Sequence, residues 1–330
     1  MYSKIINVPI VLEIGENIFI HMDEILQRNH IFFKEKILVT SPELKELYKQ
    51  QIEQLSFDEI MLIQGGSYEE AREVMGNITN KDALLVAFGG GSVIDAVKMI
   101  SNDLNLSYIT APSTLSNDAI YSPIARLVQN GKKQSFGVKA PLGIIADIEI
   151  IRRSPRKLLL AGVGDLVSNA SAVKDWRLAN AEKGEYINNF ALTLATLSGN
   201  SVMSYTIDDI GTNRFIGDLA NGLVISGLAM VLANSSRPAS GGEHLVSHAI
   251  DDLYPMRTTL HGLQVAWGHL LLERDYRQDD DDFEKLRLFF DRMKITDELE
   301  HDLHFSSDEI ARIIARAKTI RDRYTILSKF

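Results

Sequence analysis

Residues 83–101 read ALLVAFGGGSVIDAVKMIS, and the fold of the first half of the chain turns on them. An unbroken apolar run such as 83–88 suits a strand covered on both faces, the situation in parallel sheets flanked by helices. Gly89-Gly90-Gly91 ends the run, and after Ser92-Val93-Ile94-Asp95 the segment AVKMIS continues as a helix. Upstream the same alternation repeats. KILVT at 36–40 reads as a strand, 42–55 as a helix with Pro42 in its first turn, 60–64 as a strand, and 67–78 as a helix opened by a Ser67 cap. Downstream, 108–110 is a strand leading into APSTLSNDAIYSP, the runs 126–129 and 134–138 flank Asn130-Gly131 as a hairpin, and Gly143–Asp147 closes the series. Strand, helix, strand, helix predicts a parallel, doubly wound sheet with right-handed crossovers.

After about residue 150 strand-like runs give way to long helical patterns. The sequence therefore predicts an α/β, Rossmann-like nucleotide-binding domain over 1–152 and an all-α metal and substrate domain over 153–330, with a cleft between them. The most apolar stretch, LANGLVISGLAMVLAN at 219–234, is short of a membrane span, is interrupted by Asn and Gly, and reads as a buried helix. The acidic run 279–282 suits the N-terminus of the helix that follows it.

With 330 residues, 45% of them hydrophobic and 24% charged, the chain has enough material for two folded domains and none of the bias of a disordered one. A net charge of -9 without a basic stripe argues against nucleic acid or an anionic membrane surface as partner. The absence of cysteine excludes disulfides, thiolate nucleophiles and Cys-ligated zinc, so a metal site here has to use His, Asp or Glu. The N-terminal MYSKIINVPIVLEIG lacks a small-residue cleavage site and is unlike a signal peptide, which makes the cytoplasm the expected compartment.

Four segments carry chemistry. The triple glycine lets backbone approach a diphosphate at a helix N-terminus, although the usual GxGxxG spacing is absent and a ligand-free tight turn is the alternative. Ser113-Thr114-Leu115-Ser116-Asn117-Asp118 and Ser122 follow a strand, where ligands of such sheets collect; a plain polar turn is the alternative. Asp165 in GVGDL is either the N-cap of the helix LVSNASAVKDW or a metal ligand. In GGEHLVSHAIDDLYPMRTTLHG, at 241–262, a helix from about Gly242 places His244 and His248 one turn apart on one face, and His261 opens a new segment beyond Pro255. These histidines, with His269 further on, either converge on a metal or are separate hydrogen-bonded helix residues.

FGGGSVID, APSTLSNDAIYSP, AGVGDLVSNASAVKDW, SGGEHLVSHAID, LHGLQVAWG and the closing RYTIL resemble, in this order and over nearly the whole chain, the glycerol-1-phosphate dehydrogenases. These sit within the larger group of iron-type alcohol dehydrogenases, glycerol dehydrogenases and dehydroquinate synthases. The resemblance implies that Gly89, Gly90 and Gly91 with Ser92, Val93, Ile94 and Asp95 contact the phosphates of NAD or NADP. It implies that Ser113, Thr114, Leu115, Ser116 and Ser122 line the same cofactor, and that Asp118 and His248 touch substrate. It also implies that Asp165, His244 and His261 hold a divalent metal, usually zinc, with Fe²⁺ and Ni²⁺ suited to the same donors, and that Asp165 lies near substrate. Asn117-Asp118-Ala119 stands where the family often has His-Asp-Gly, and Leu263 stands where a Glu usually follows His-Gly, which leaves substrate choice open.

Two imidazoles and one carboxylate around a zinc ion leave net positive charge that acidifies an alcohol oxygen, and the carbon beside it then gives hydride to the nicotinamide. The substrate class is a small polyol or polyol phosphate, with glycerol 1-phosphate and dihydroxyacetone phosphate as the expected pair. Unphosphorylated glycerol is the alternative, and a dehydroquinate-synthase-like lyase a more distant one. A phosphate needs cations, for which the candidates are Arg237, Arg257, Lys132 and Lys133. Thr40-Ser41 replaces the acidic residue that would hold a ribose 2′-hydroxyl, so NAD and NADP are not separated. A homo-oligomer is compatible with the buried-looking helices.

Overall fold

The computed structural model describes residues 8–330. Their contacts divide into two compact units, one holding the residues up to Leu115 with Ala119–Ser154, the other Ser116–Asp118 with Pro155–Phe330. Residues 1–7 of the segment read as unlike a signal peptide lie outside the described residues.

The first unit is built on β1 (Val11–Gly15), β2 (Glu35–Thr40), β3 (Glu59–Leu62), β4 (Ala83–Gly89), β5 (Ser107–Pro112) and β8 (Gly143–Asp147). All are parallel, in the order β1-β8-β5-β4-β2-β3. Strands β6 (Ile124–Gln129) and β7 (Lys132–Gly137) form the hairpin around Asn130-Gly131, both of which take positive φ. Every residue of β4 is buried, which is why its sequence has no polar alternation. Val86 and Phe88 of β4 join Leu38, Ile109 and Ile145 in one core with Phe19 and Met22.

The helices of this unit are α1 (Met22–Arg28), α2 (Pro42–Leu47), α3 (Lys49–Ile52), α4 (Tyr68–Asn77), α5 (Gly91–Leu104) and α6 (Ile148–Arg152). Two differ from expectation. The helix read over 42–55 breaks where buried Tyr48 packs edge-on against Phe88, with ring centroids 5.4 Å apart. Helix α5 starts at Gly91 itself, because Gly90 alone makes the turn and nothing from Ser92 to Asp95 interrupts a helix. Gly89 pairs with Pro112, so the glycine turn and the loop after β5 leave the carboxyl edge of the sheet side by side, joined by the Ser113 N–H donating to the Gly89 carbonyl at 2.9 Å.

The second unit is helical: α7 (Arg156–Val167), α8 (Asn169–Lys183), α9 (Asn189–Asn200), α10 (Asn213–Ala233), α11 (Gly242–Leu253), α12 (His261–Leu272), α13 (Asp280–Arg292), α14 (Ile295–Asp302) and α15 (Ser307–Ile320). Leu245, Val246 and Ile250 of α11, Leu271 and Leu272 of α12, and Ile313 and Ile314 of α15 share a core. Asp279 caps α13 by accepting the Asp282 N–H at 3.1 Å, as the acidic run predicts. Helix α10 extends beyond the stretch read from the sequence: its 21 residues are long and apolar enough to cross a membrane, yet 67% of the apolar window is buried within the protein.

The segment around Asp165 needs correction. GVGDL is not a turn ahead of a helix and Asp165 is not an N-cap, since both lie inside α7. Glycine is disfavoured in a helix interior, but here it serves packing. A Cβ on Gly164 would sit 2.6 Å from the Gly262 carbonyl oxygen, and one on Gly262 only 1.9 Å from the Ala161 carbonyl oxygen. Helices α7 and α12 therefore meet backbone to backbone. The ligand candidates Asp165 and His261 are the immediate sequence neighbours of those two glycines.

Candidate active site

Asp165 of α7, His244 of α11 and His261 of α12 each offer a donor atom within 4.8 Å of the other two, and among the described residues no other trio of His, Asp or Glu does so. The Asp165 Oδ1 lies 3.6 Å from His244 Nε2 and 3.9 Å from His261 Nε2. Donors of a tetrahedral zinc at about 2.1 Å are about 3.4 Å apart, so small side-chain adjustments close the trio on an ion. The donor chemistry and spacing fit a divalent metal. His269 does not join it; that side chain is buried with Nε2 3.5 Å from Glu273 Oε1, just beyond the C-terminus of α12.

Each ligand candidate is held from behind. Glu243 Oε1 lies 2.9 Å from His244 Nδ1, and Ser247 Oγ lies 3.1 Å from His261 Nδ1, so both Nε2 atoms are left facing Asp165. The other oxygen of Asp165 accepts the backbone N–H of Asp118 at 3.0 Å. Burial alone would raise the Asp165 carboxyl, but the His244 and His261 imidazoles more than offset it and hold it below the usual carboxylate range. For His244 burial works toward the neutral ring, and the Asp165 and Glu243 carboxylates override it, holding the imidazole at about 9. A metal held by this trio would have to displace a proton from His244. Glu243, buried but facing His244, Ser171 and the Gly241 N–H, falls to about 2.

The two residues implied to touch substrate lie beside this trio. His248 is buried, with its ring stacked near His261 at 6.3 Å between centroids and 27° between planes. The Asp118 Oδ2 accepts the Ser226 hydroxyl at 3.5 Å.

The first unit carries the residues implied to hold the dinucleotide, except Ser116, which falls in the second. Helix α5 has no side-chain cap at Gly90, unlike α2, α4 and α13, so its first N–H groups remain available to an anion. The turn is buttressed by Gly65, whose φ is +86 and where a Cβ would lie 2.7 Å from the Ser92 carbonyl carbon. The Thr114 hydroxyl is buried and lacks a partner among the described residues, as does that of Thr40 at the end of β2. Such orphaned hydroxyls beside an uncapped helix fit a bound dinucleotide. The Asp95 carboxylate faces Lys98 Nζ at 2.9 Å and accepts the Arg126 N–H at 3.0 Å, which ties α5 to the hairpin. Val93 and Ile94 are buried in the same helix, and Ser122 accepts from Lys98 at 3.1 Å.

The cations considered for a substrate phosphate are largely in use. Arg237 is buried, paired through Nε with Glu185 at 2.7 Å and bonded to the Tyr324 carbonyl at 2.8 Å. Arg257 bonds Glu309 at 2.7 Å and the His304 carbonyl, over the Phe305 ring. Lys132 and Lys133 are exposed on β7. Sequence reasoning missed Glu243, Ser247, Ser171 and Gly65. Glu243 had a visible signal, since it adjoins His244, whereas the role of Ser171 depends on a contact 72 residues away.

A family profile described as iron-containing alcohol dehydrogenase matches residues 13–155. The chain is 38% identical over 280 residues to a glycerol-1-phosphate dehydrogenase [NAD(P)+] of Archaeoglobus fulgidus, covering 83% of this chain and 78% of that one. It is 33% identical to the protein of the same name from Pyrococcus furiosus, over 98% of this chain and 94% of the relative. Among solved structures, a probable glycerol dehydrogenase of Sinorhizobium meliloti superposes with a TM-score of 0.80 at 18% identity, covering 98% of this chain and 93% of that one, which establishes a shared fold.

Proposed function

The chain belongs to the iron-containing alcohol dehydrogenase family, in its glycerol-1-phosphate dehydrogenase branch, and from that membership we infer that it is a metal-dependent oxidoreductase acting with NAD(P) on a small polyol. The substrate pair we assign is glycerol 1-phosphate and dihydroxyacetone phosphate, after the activity named for its relatives. The observation that carries the reading is the convergence of Asp165, His244 and His261, each on a different helix, with donor atoms at ligand spacing.

When bound, the cation acts as a Lewis acid on an alcohol or carbonyl oxygen, and the nicotinamide exchanges hydride with the adjacent carbon. Zinc is the metal we assign, with iron(II) and nickel(II) suited to the same donors. Asp165, His244 and His261 hold it with one negative charge among three donors, which leaves the centre positive. His248, one turn from His244, takes the hydroxyl proton on a ring nitrogen during oxidation and returns it during reduction. Asp118, fixed by its N–H on Asp165 and by Ser226, accepts a hydrogen bond from a second substrate hydroxyl. Gly89–Ser92 and the N-terminus of α5 receive the dinucleotide phosphates, with Ser113, Thr114 and Ser116 along its path.

The engagement of Arg237 and Arg257 within the helical unit favours one second reading, an unphosphorylated polyol as substrate. Oxidation of NADH and NADPH with added Zn²⁺, comparing dihydroxyacetone phosphate with dihydroxyacetone, tests both. The phosphoglycerol reading expects at least about tenfold higher kcat/KM with the phosphorylated ketone, about 1.4 kcal/mol of transition-state binding. A preference for the free ketone moves the assignment to glycerol. Net NADH consumption excludes a lyase that only borrows the cofactor.

A further inference from the structure

We infer that Glu243 is a positioning residue of the metal centre, its buried carboxylate accepting the His244 Nδ1–H and thereby presenting His244 Nε2 to the cation. The inference rests on the reading of Asp165, His244 and His261 as metal ligands. A neutral imidazole has one donor and one acceptor nitrogen, and which is which follows from the partner of the nitrogen turned away from the metal. Here that partner is a single oxygen. Glu243 Oε1 accepts the Gly241 backbone N–H at 2.5 Å, and a backbone N–H only donates, so this oxygen is an acceptor in its contact with His244 Nδ1 at 2.9 Å. In the neutral ring that a metal requires, the one proton of His244 is therefore on Nδ1 and the lone pair on Nε2.

The carboxylate is itself locked. Glu243 Oε2 accepts the Ser171 hydroxyl of α8 at 2.7 Å, and the side chain is fully buried. Next to it Asp175, also of α8, accepts the Gly242 N–H at 2.7 Å through Oδ2 and faces Arg277 at 2.7 Å through Oδ1, while Arg277 Nη1 reaches Ser171 Oγ at 3.1 Å. Helix α8 thus grips the first turn of α11 at two adjacent carboxylates, of which only Glu243 touches a ligand imidazole. Asp175 is as buried and as tightly bonded, but it bonds the Gly242 and Ile326 N–H groups and the Arg277 guanidinium and touches no ligand imidazole. The pair separates orienting a ligand from holding the helix in place.

The test is the Zn²⁺ dissociation constant of the full-length, metal-stripped protein, measured by competition with a chromogenic chelator, together with the Tm of the same metal-free samples. Loss of an outer hydrogen-bond partner of a ligand weakens metal binding by about 10- to 100-fold. E243Q, which keeps the shape and loses the charge, is expected near the lower figure and E243A near the upper. D175N, the helix-anchoring control, is expected to lower Tm while moving zinc affinity less than about threefold, well below that range. Unchanged affinity in E243Q and E243A overturns the role of Glu243, and so does an equal loss in D175N. If neither Glu243 variant folds, S171A carries the test, because it frees one end of the carboxylate without removing it; wild-type affinity in S171A overturns the proposal. Failure of the wild-type protein to bind any divalent cation is a different result, which defeats the metal-centre reading itself.

Discussion

His261 and His248 lie close enough for their rings to stack, yet the chemistry assigned to them differs, and substitution separates the two roles. His261 points Nε2 at Asp165 and is backed by Ser247, the arrangement of a ligand. H261A should lose zinc affinity by more than about 100-fold, beyond what the loss of an outer partner costs, and turnover should vanish with the metal. H248A should keep zinc at wild-type occupancy while kcat falls by about 10² to 10⁴, the usual contribution of a proton-transferring side chain. Metal content by atomic emission beside steady-state rates decides the matter, and full metal occupancy in H261A would sink the ligand assignment. The candidate ligand types were legible because the absence of cysteine restricts a site to His, Asp and Glu, and the candidate cluster because His244 and His248 show helical spacing. The outer partners were not legible, since Ser171 meets Glu243 only once α8 and α11 are packed.

The site depends on how closely α7 and α12 approach, and glycine sets that distance. A Cβ on Gly262 would fall 1.9 Å from the Ala161 carbonyl oxygen, a backbone atom that moves only with its helix. G262A should therefore push α12 off α7, cost about 1–3 kcal/mol, and weaken zinc binding because Asp165 and His261 sit on opposite sides of that contact. G76A makes the useful contrast. It is exposed near the end of α4 with nothing within 4 Å of a new Cβ, so alanine should be neutral or add a few tenths of a kcal/mol. Thermal melting with and without Zn²⁺ reads both; a G262A protein with wild-type Tm and wild-type zinc affinity would contradict the account. The same contact explains why the sequence misled at this level. Gly-Val-Gly-Asp has the composition of a turn, and only the facing Gly262, about a hundred positions away, reveals a helix that needs glycine for packing. Strands fared better: the hairpin turn at Asn130-Gly131 and the bounds of β8 follow from local turn chemistry and from an apolar run with no competing period.

Across the whole molecule the buried charges are not shared evenly, and acid should find the helical unit first. Glu273 is buried, which alone would raise its carboxyl, but His269, Arg277 and Lys174 more than compensate and hold it at about 2. Asp302 is also held at about 2, burial again opposing and Lys157, Thr259 and His301 prevailing. A carboxyl depressed in the folded state contributes stability that is present above its unfolded value near 4.5 and is lost as pH falls toward 2. Asp175 of the helical unit and Asp95 of the sheet unit run the other way, because burial raises both and protonation relieves them. Both tryptophans, Trp176 and Trp267, belong to the helical unit, so their fluorescence reports its unfolding without contribution from the sheet. Urea unfolding followed by that fluorescence should show a free energy that declines between about pH 4.5 and pH 2. In E273Q the molecule should be less stable at neutral pH, the decline shallower, and the two curves should draw together as pH falls below about 2, where Glu273 becomes protonated in the wild type as well. Parallel curves across that interval would mean that Glu273 does not carry the acid sensitivity, and would leave Asp302 with Lys157 as the pair to replace.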